Sequence, residues 1–159
     1  MENENLIKIM ANFENLVSQL YMEYSLQLPE LRSFWERLSK EELGHEAALN
    51  NLFSKVEGRT VFLDNHKFKI SSIYLTSKYC SEKIEEAKKG ITPIHALSIS
   101  LDLEKAMIEN KYFEVFQSDI LELKNTFKTL ENETIDHLKR VRDMWTEERE
   151  KIGIDNSAI

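Results

Sequence analysis

The chain has little of what breaks or staples a fold. Its 159 residues include four glycines, two prolines and one cysteine, Cys80. A single cysteine excludes an intramolecular disulfide framework and any Cys-x-x-Cys metal knuckle or redox pair. Scarce glycine and proline leave long stretches free to stay helical. No apolar run approaches the roughly 20 residues needed to span a bilayer. The acidic start Met1-Glu2-Asn3-Glu4-Asn5 lacks the basic region of a secretory signal. Positive charge is also short: 21 Lys and Arg against 28 Asp and Glu leave a net charge of -7. Such a field repels phosphate backbones and anionic lipid surfaces. The expectation is a soluble cytoplasmic protein with no nucleic-acid and no membrane partner.

What is present is helical periodicity. Leu, Glu, Lys, Ala and Met, all good helix formers, recur throughout, and apolar residues return at alternating steps of three and four. One domain over 1–159 is expected, large enough to bury a core. A first helix from about residue 3 to Leu28 carries Ile7, Met10, Val17, Tyr21, Tyr24 and Leu28 on one face, and Pro29 marks its end. A second covers about 30–54 with Trp35, Leu38, Leu49 and Leu52 inward. Residues 55–67, with Gly58 and Asp64-Asn65-His66, read as a loop. A shorter helix over about 69–89 aligns Ile70, Ile73, Cys80, Ile84 and Ala87. Gly90 is its terminator, and Thr92-Pro93 supply the next N-cap and first helical position. The third main helix runs from 93 to about 117. Ser118-Asp119 cap a fourth that continues to about Lys151, with a frayed tail after Gly153. The two hairpins repeat a pattern: Trp35, Leu38, Glu41, His45 and Leu49 align with Phe127, Leu130, Glu133, His137 and Val141. The predicted fold is an all-α antiparallel four-helix bundle with one long crossover containing an additional helix.

Chemistry appears when polar residues inside these apolar stripes are picked out. Glu14 falls between Met10 and Val17 on the first helix. Glu42 and His45, three apart and therefore side by side, lie on the inward stripe of the second. Glu104 follows Leu97 and Leu101 on the third, whereas Glu109 lies about 140° away. On the fourth, Phe127, Leu130, Val141 and Met144 carry Thr134 and His137 inward with them. Buried carboxylates demand a partner or a cation, and a carboxylate beside an imidazole can grip one metal ion. Tyr21, Tyr24, Tyr112 and Cys80 read as core, while His66 and His95 fall away from the cluster.

An inward Glu from each of two helices, with Glu-x-x-His from each of the others, is the ligand pattern of ferritin-like dinuclear bundles. The first Glu-x-x-His, Glu42-Leu43-Gly44-His45, is complete; the second reads Thr134-Ile135-Asp136-His137. With Leu20-Tyr21, Leu28-Pro29-Glu30-Leu31, Phe34-Trp35 and Glu41-Glu42, the chain resembles small stand-alone rubrerythrin-type domains of the ferritin-like superfamily along nearly its whole length. The resemblance implies iron bound by Glu14, Glu42, His45, Glu104 and His137, reaction with peroxide or oxygen, and a homodimer. Full rubrerythrins carry a cysteine-ligated iron that one cysteine cannot build, so electrons would come from a separate electron-donor protein, or ferrous iron would itself be the substrate.

Thr134 departs from the pattern. Glu14, Glu42 and Glu104 supply three negative charges against the four positive charges of two ferrous ions, and one bridging ligand is gone. Three outcomes follow: an altered dinuclear site, a mononuclear Fe, Mn or Zn site built on Glu14, Glu42 and His45, or a site without metal on a bundle that serves sequestration or protein association. Glu131 or Glu133 is a substitute ligand only after local rearrangement, since Glu133 points about 100° away and Glu131 lies one turn earlier.

Overall fold

A computed structural model describes residues 2–56, 62–63, 70–109, 116–117 and 120–153. It is all-α in its main elements: α1 (Glu2–Gln27), α2 (Arg32–Val56), α3 (Ile70–Ala87), α4 (Pro93–Glu109) and α5 (Leu121–Lys151). Two-residue strands β1 (Phe62–Leu63) and β2 (Phe116–Gln117) pair antiparallel, Phe62 opposite Gln117 and Leu63 opposite Phe116.

Local chemistry sets the corners. Pro29 pushes Leu28 out of helical geometry, to φ -122° and ψ 76°, and a short 3-10 turn over Pro29–Leu31 reverses the chain. Gly90 ends α3 at φ 105°, a conformation glycine adopts without steric penalty. Thr92 Oγ1 accepts from the His95 amide at 3.3 Å and so caps α4, which begins at Pro93 as expected.

The helices pair as α1 on α2, α4 on α5, α2 on α5, and α3 on α1. Cross-links fix the directions. Lys8 reaches Asn50, and the Ser18 and Ser39 hydroxyls meet at 2.9 Å, so α1 and α2 are antiparallel. His45 meets Glu133 while His137 meets Glu41, so α2 and α5 are antiparallel too. The core holds the expected stripes: Met10, Val17, Tyr21, Tyr24, Trp35, Leu38, Leu49, Cys80, Leu97 and Val141 are all inaccessible to solvent. Each such large apolar side chain contributes about 1.5–3 kcal/mol. That burial offsets the cost of holding charged groups inside.

Several expectations are corrected. Among the described residues the helix expected to reach 117 ends at Glu109, and Phe116–Gln117 is a strand. Its pairing with Phe62–Leu63 also gives a strand within the segment read as loop, and α2 runs on to Val56. The runs Val61-Phe62-Leu63 and Val115-Phe116 are β-branched and aromatic, a composition that suits a ladder once a partner is alongside. The α5 N-cap position is Ile120, without a side-chain cap. Ile70, placed inward by periodicity, is exposed at the first residue of α3. The proposed cap Ser118-Asp119, His66, Tyr112, Val115 and the tail after Gly153 lie outside the described residues.

Candidate metal centre

Each polar residue that the spacing turned inward is buried. Glu14, Glu42 and Glu104 have no exposed surface, Thr134 has 1%, and His45 and His137 have 2% each. α1 supplies Glu14, α2 Glu42 and His45, α4 Glu104, and α5 Thr134 and His137. Four helices thus surround one polar cluster within an apolar core.

Glu42 lies at its middle. One carboxylate oxygen is 3.0 Å from His45 Nδ1 and the other is 2.8 Å from His137 Nδ1. The same nitrogens stand 3.7 Å from Glu14 and 3.7 Å from Glu104, respectively. The two imidazole rings are nearly parallel, 13° apart, with centroids separated by 5.2 Å. Although the Nδ1 contacts to Glu42 are short, neither ring N–H points along them. Among the described residues, both oxygens of Glu14 and of Glu42, Glu104 Oε2, and both Nδ1 atoms are buried without a hydrogen-bond partner. Unpaired buried donors and acceptors of this kind each cost about 1–3 kcal/mol, more when charged. A cation that accepted their lone pairs would relieve that cost, and carboxylate with imidazole is a donor set suited to iron, manganese and zinc. Glu42, His45 and His137 each offer one ligand atom, all within 4.8 Å of one another, so they form a group able to hold a metal ion.

Protons occupy these groups when no metal does. Burial and the charge of Glu42 push Glu14 up to about 8, and the same two causes push Glu104 up to about 8. Burial alone would raise Glu42, but the two imidazoles hold it well below the usual carboxylate range. Burial alone would lower His45, yet Glu14 and Glu42 push it up to about 11; Glu42 and Glu104 likewise bring His137 up to about 8. At neutral pH both imidazoles and both flanking carboxyls therefore hold protons around one carboxylate.

The outer nitrogens carry the complementary contacts. His45 Nε2 donates to Glu133 at 2.8 Å, and His137 Nε2 lies 3.1 Å from Glu41. A metal-ligating histidine commonly donates its second N–H to a carboxylate, which fixes tautomer and ring orientation. Here that arrangement leaves Nδ1 facing the buried carboxylates. Glu41 is itself gripped by Arg140 and by Arg37 at 3.1 Å, and the two guanidinium groups keep it below the usual range although burial opposes them. On the inner side the Tyr21 hydroxyl donates to Glu104 Oε1 at 2.6 Å.

Glu133 therefore does not stand in for the missing ligand at Thr134; it meets the ring edge of His45 remote from Nδ1. Glu131 pairs instead with Lys128 at 3.6 Å. Sequence reasoning left Glu41, Arg140 and Tyr21 out of the site. The repeat did offer a signal for the first, because Glu41 and Glu133 each precede a histidine by four residues. Cys80 is a buried free thiol pushed up to about 12 by burial and by Glu42, as a small core residue would be. His95 is exposed. Among the described residues no helix is long and apolar enough to cross a membrane.

No family model matches the chain, and neither a curated protein nor a solved structure shows significant similarity to it. What the cluster can do therefore rests on its own geometry.

Proposed function

We propose that the chain is a ferritin-like, rubrerythrin-type metal protein whose four-helix frame holds two divalent ions, iron by resemblance, with Glu14 and His45 on one side, Glu104 and His137 on the other, and Glu42 shared between them. One observation carries the reading: buried carboxylate oxygens and imidazole nitrogens from four helices converge without hydrogen-bond partners. Ferrous ions held there would supply two electrons to a peroxide, which takes up two protons and leaves as two waters. The chain's own part is to position the ligands and to exclude bulk water from three fully buried carboxylates. With a lone buried cysteine, electrons arrive from a partner protein, or ferrous iron is the substrate.

The test is anaerobic loading with ferrous iron, elemental analysis for metal per chain, and then addition of peroxide. Two irons per chain and rapid oxidation are expected. Protein that takes up no iron and oxidises none would sink the reading.

A second reading has its own observation. Among the described residues, the group of three that brings ligand atoms within 4.8 Å of one another is Glu42, His45 and His137. With Thr134 in place of a bridging glutamate, those three define a mononuclear site that spans both hairpins, on a bundle serving sequestration or protein association. One metal per chain, retained without peroxide turnover, would favour it.

A further inference from the structure

We propose that the groove between α2 and α5 is the port through which divalent cations reach the buried carboxylates, and that His45 is the side chain that swings aside to admit them; this rests on the metal-binding reading above. The groove encloses about 660 Å³ and is lined by Gly44 and Ala48 on α2, by Thr129 and Glu133 on α5, and by His45 and His137. The two imidazoles are 98% shielded, so they form its floor. Each ring then acts as a partition, with Nε2 against a groove-lining carboxylate and Nδ1 against the buried ones. Glu14 and Glu104 lie behind that partition and do not line the groove.

Two features suit cation passage. The first is a set of oxygen donors: Glu41, Glu133 and Asp136 line the groove with Arg140, and Glu41 and Glu133 stand against the outer edges of the two imidazoles, where a carboxylate can hold a cation on its way in. Gly44 is the second. Glycine inside a helix costs about 1 kcal/mol relative to alanine. Its conformation here does not require glycine, and a Cβ built on it would meet nothing within 4 Å. Close packing therefore does not explain it either. What a small residue leaves at this point of the wall is open space beside His45, which alanine would keep and a large side chain would fill.

The choice of His45 over His137 follows from their outer anchors. His137 rests on Glu41, which Arg140 and Arg37 hold in place. His45 rests on Glu133, whose side chain is 53% exposed and which, among the described residues, makes no ion pair with lysine or arginine. The less restrained ring is the one that moves.

Gly44→Leu would plug the groove without touching a ligand, and Thr129→Leu would do so from the opposite wall, so the test does not depend on either variant alone folding well. Cobalt(II) uptake followed by stopped-flow absorbance, and its removal by a chelator, should both slow by about tenfold or more with the dissociation constant unchanged. Gly44→Ala should behave as wild type. Glu133→Ala and Glu41→Ala each remove one groove carboxylate, so charge loss is common to both; Glu133→Ala should load several-fold faster than Glu41→Ala. Wild-type rates in both plugged variants would overturn the port, as would lost affinity without slowed exchange. Faster loading by Glu41→Ala would overturn the role given to His45. Wild-type protein that binds no cobalt at all would instead remove the metal-binding reading on which the port depends.

Discussion

The α1–α2 hairpin and the α4–α5 hairpin bring matching residues to the cluster, Glu14 and His45 from the first, Glu104 and His137 from the second, but only the first also brings a glutamate at the position before the histidine turn. In the second that place is Thr134, fully enclosed like its counterpart Glu42. The contacts do not split the same way. Glu42 lies nearer His137 of the other hairpin, at 2.8 Å, than His45 of its own, at 3.0 Å. One carboxylate serves both sides. The difference teaches that a carboxylate missing from one hairpin need not leave that hairpin's histidine without one when the remaining carboxylate lies between both imidazoles.

The sharpest way to break this comparison is Glu42→Ala. If Glu42 is shared, both halves lose metal together, and elemental analysis should fall to no bound ion. The metal-free protein should also lose about 3–5 kcal/mol of stability, because two protonated imidazoles would face each other in the core without their common counter-charge. Thermal and denaturant unfolding of metal-free protein measure that loss. Retention of one ion per chain would show that the halves are independent.

Thr134→Glu tests the same asymmetry from the other direction. A fourth buried carboxylate destabilises the metal-free protein, since no further cation is there to balance it. With two ions bound it restores four negative charges against four positive ones. Metal should therefore raise the melting temperature by several degrees more in the variant than in wild type, and occupancy should rise. Equal binding by the two would contradict the charge account.

On the dinuclear reading, protons would compete with metal at both halves. Glu14, Glu104 and His137 hold protons up to about 8, so metal must displace them at neutral pH. Affinity should rise from pH 6 toward pH 8 and flatten above it for these three groups, by up to about tenfold per pH unit for each proton released. Titration calorimetry in buffers of different ionisation enthalpy counts those protons. An affinity independent of pH across that window would mean that the three groups are not ligands.

Much of this was legible in the sequence. A repeat of three and four residues is local, so Glu14, Glu42, His45, Glu104, Thr134 and His137 could be placed inward one helix at a time, and all six are buried. Which groups are shared could not be read that way. The approach of Glu42 to His137, the grip of Arg140 on Glu41 and the donation from His45 to Glu133 all depend on how α2 and α5 dock, across roughly ninety residues of chain. Phe62–Leu63 and Phe116–Gln117 failed for the same reason: two-residue strands exist only through a distant partner.

The smallest expected effect separates the two halves most finely. Glu104 is tethered by the Tyr21 hydroxyl at 2.6 Å, whereas neither oxygen of Glu14 has a hydrogen-bond partner among the described residues. Tyr21→Phe removes that donor and keeps the ring that packs 5.5 Å from Trp35, so the core is preserved. A lost hydrogen bond of this kind is worth about 1 kcal/mol, or roughly fivefold in affinity. It should fall on the ion beside Glu104 and His137 and leave the ion beside Glu14 and His45 unchanged. Without metal the sign is also fixed. The hydroxyl favours the ionised form of Glu104, so its loss should move that carboxyl above about 8 while burial continues to push in the same direction. Carboxyl-resolved titration of metal-free Tyr21→Phe reads the shift. An equal shift at Glu14 would mean that the tether orders the whole cluster and that the two halves are not separable through Tyr21.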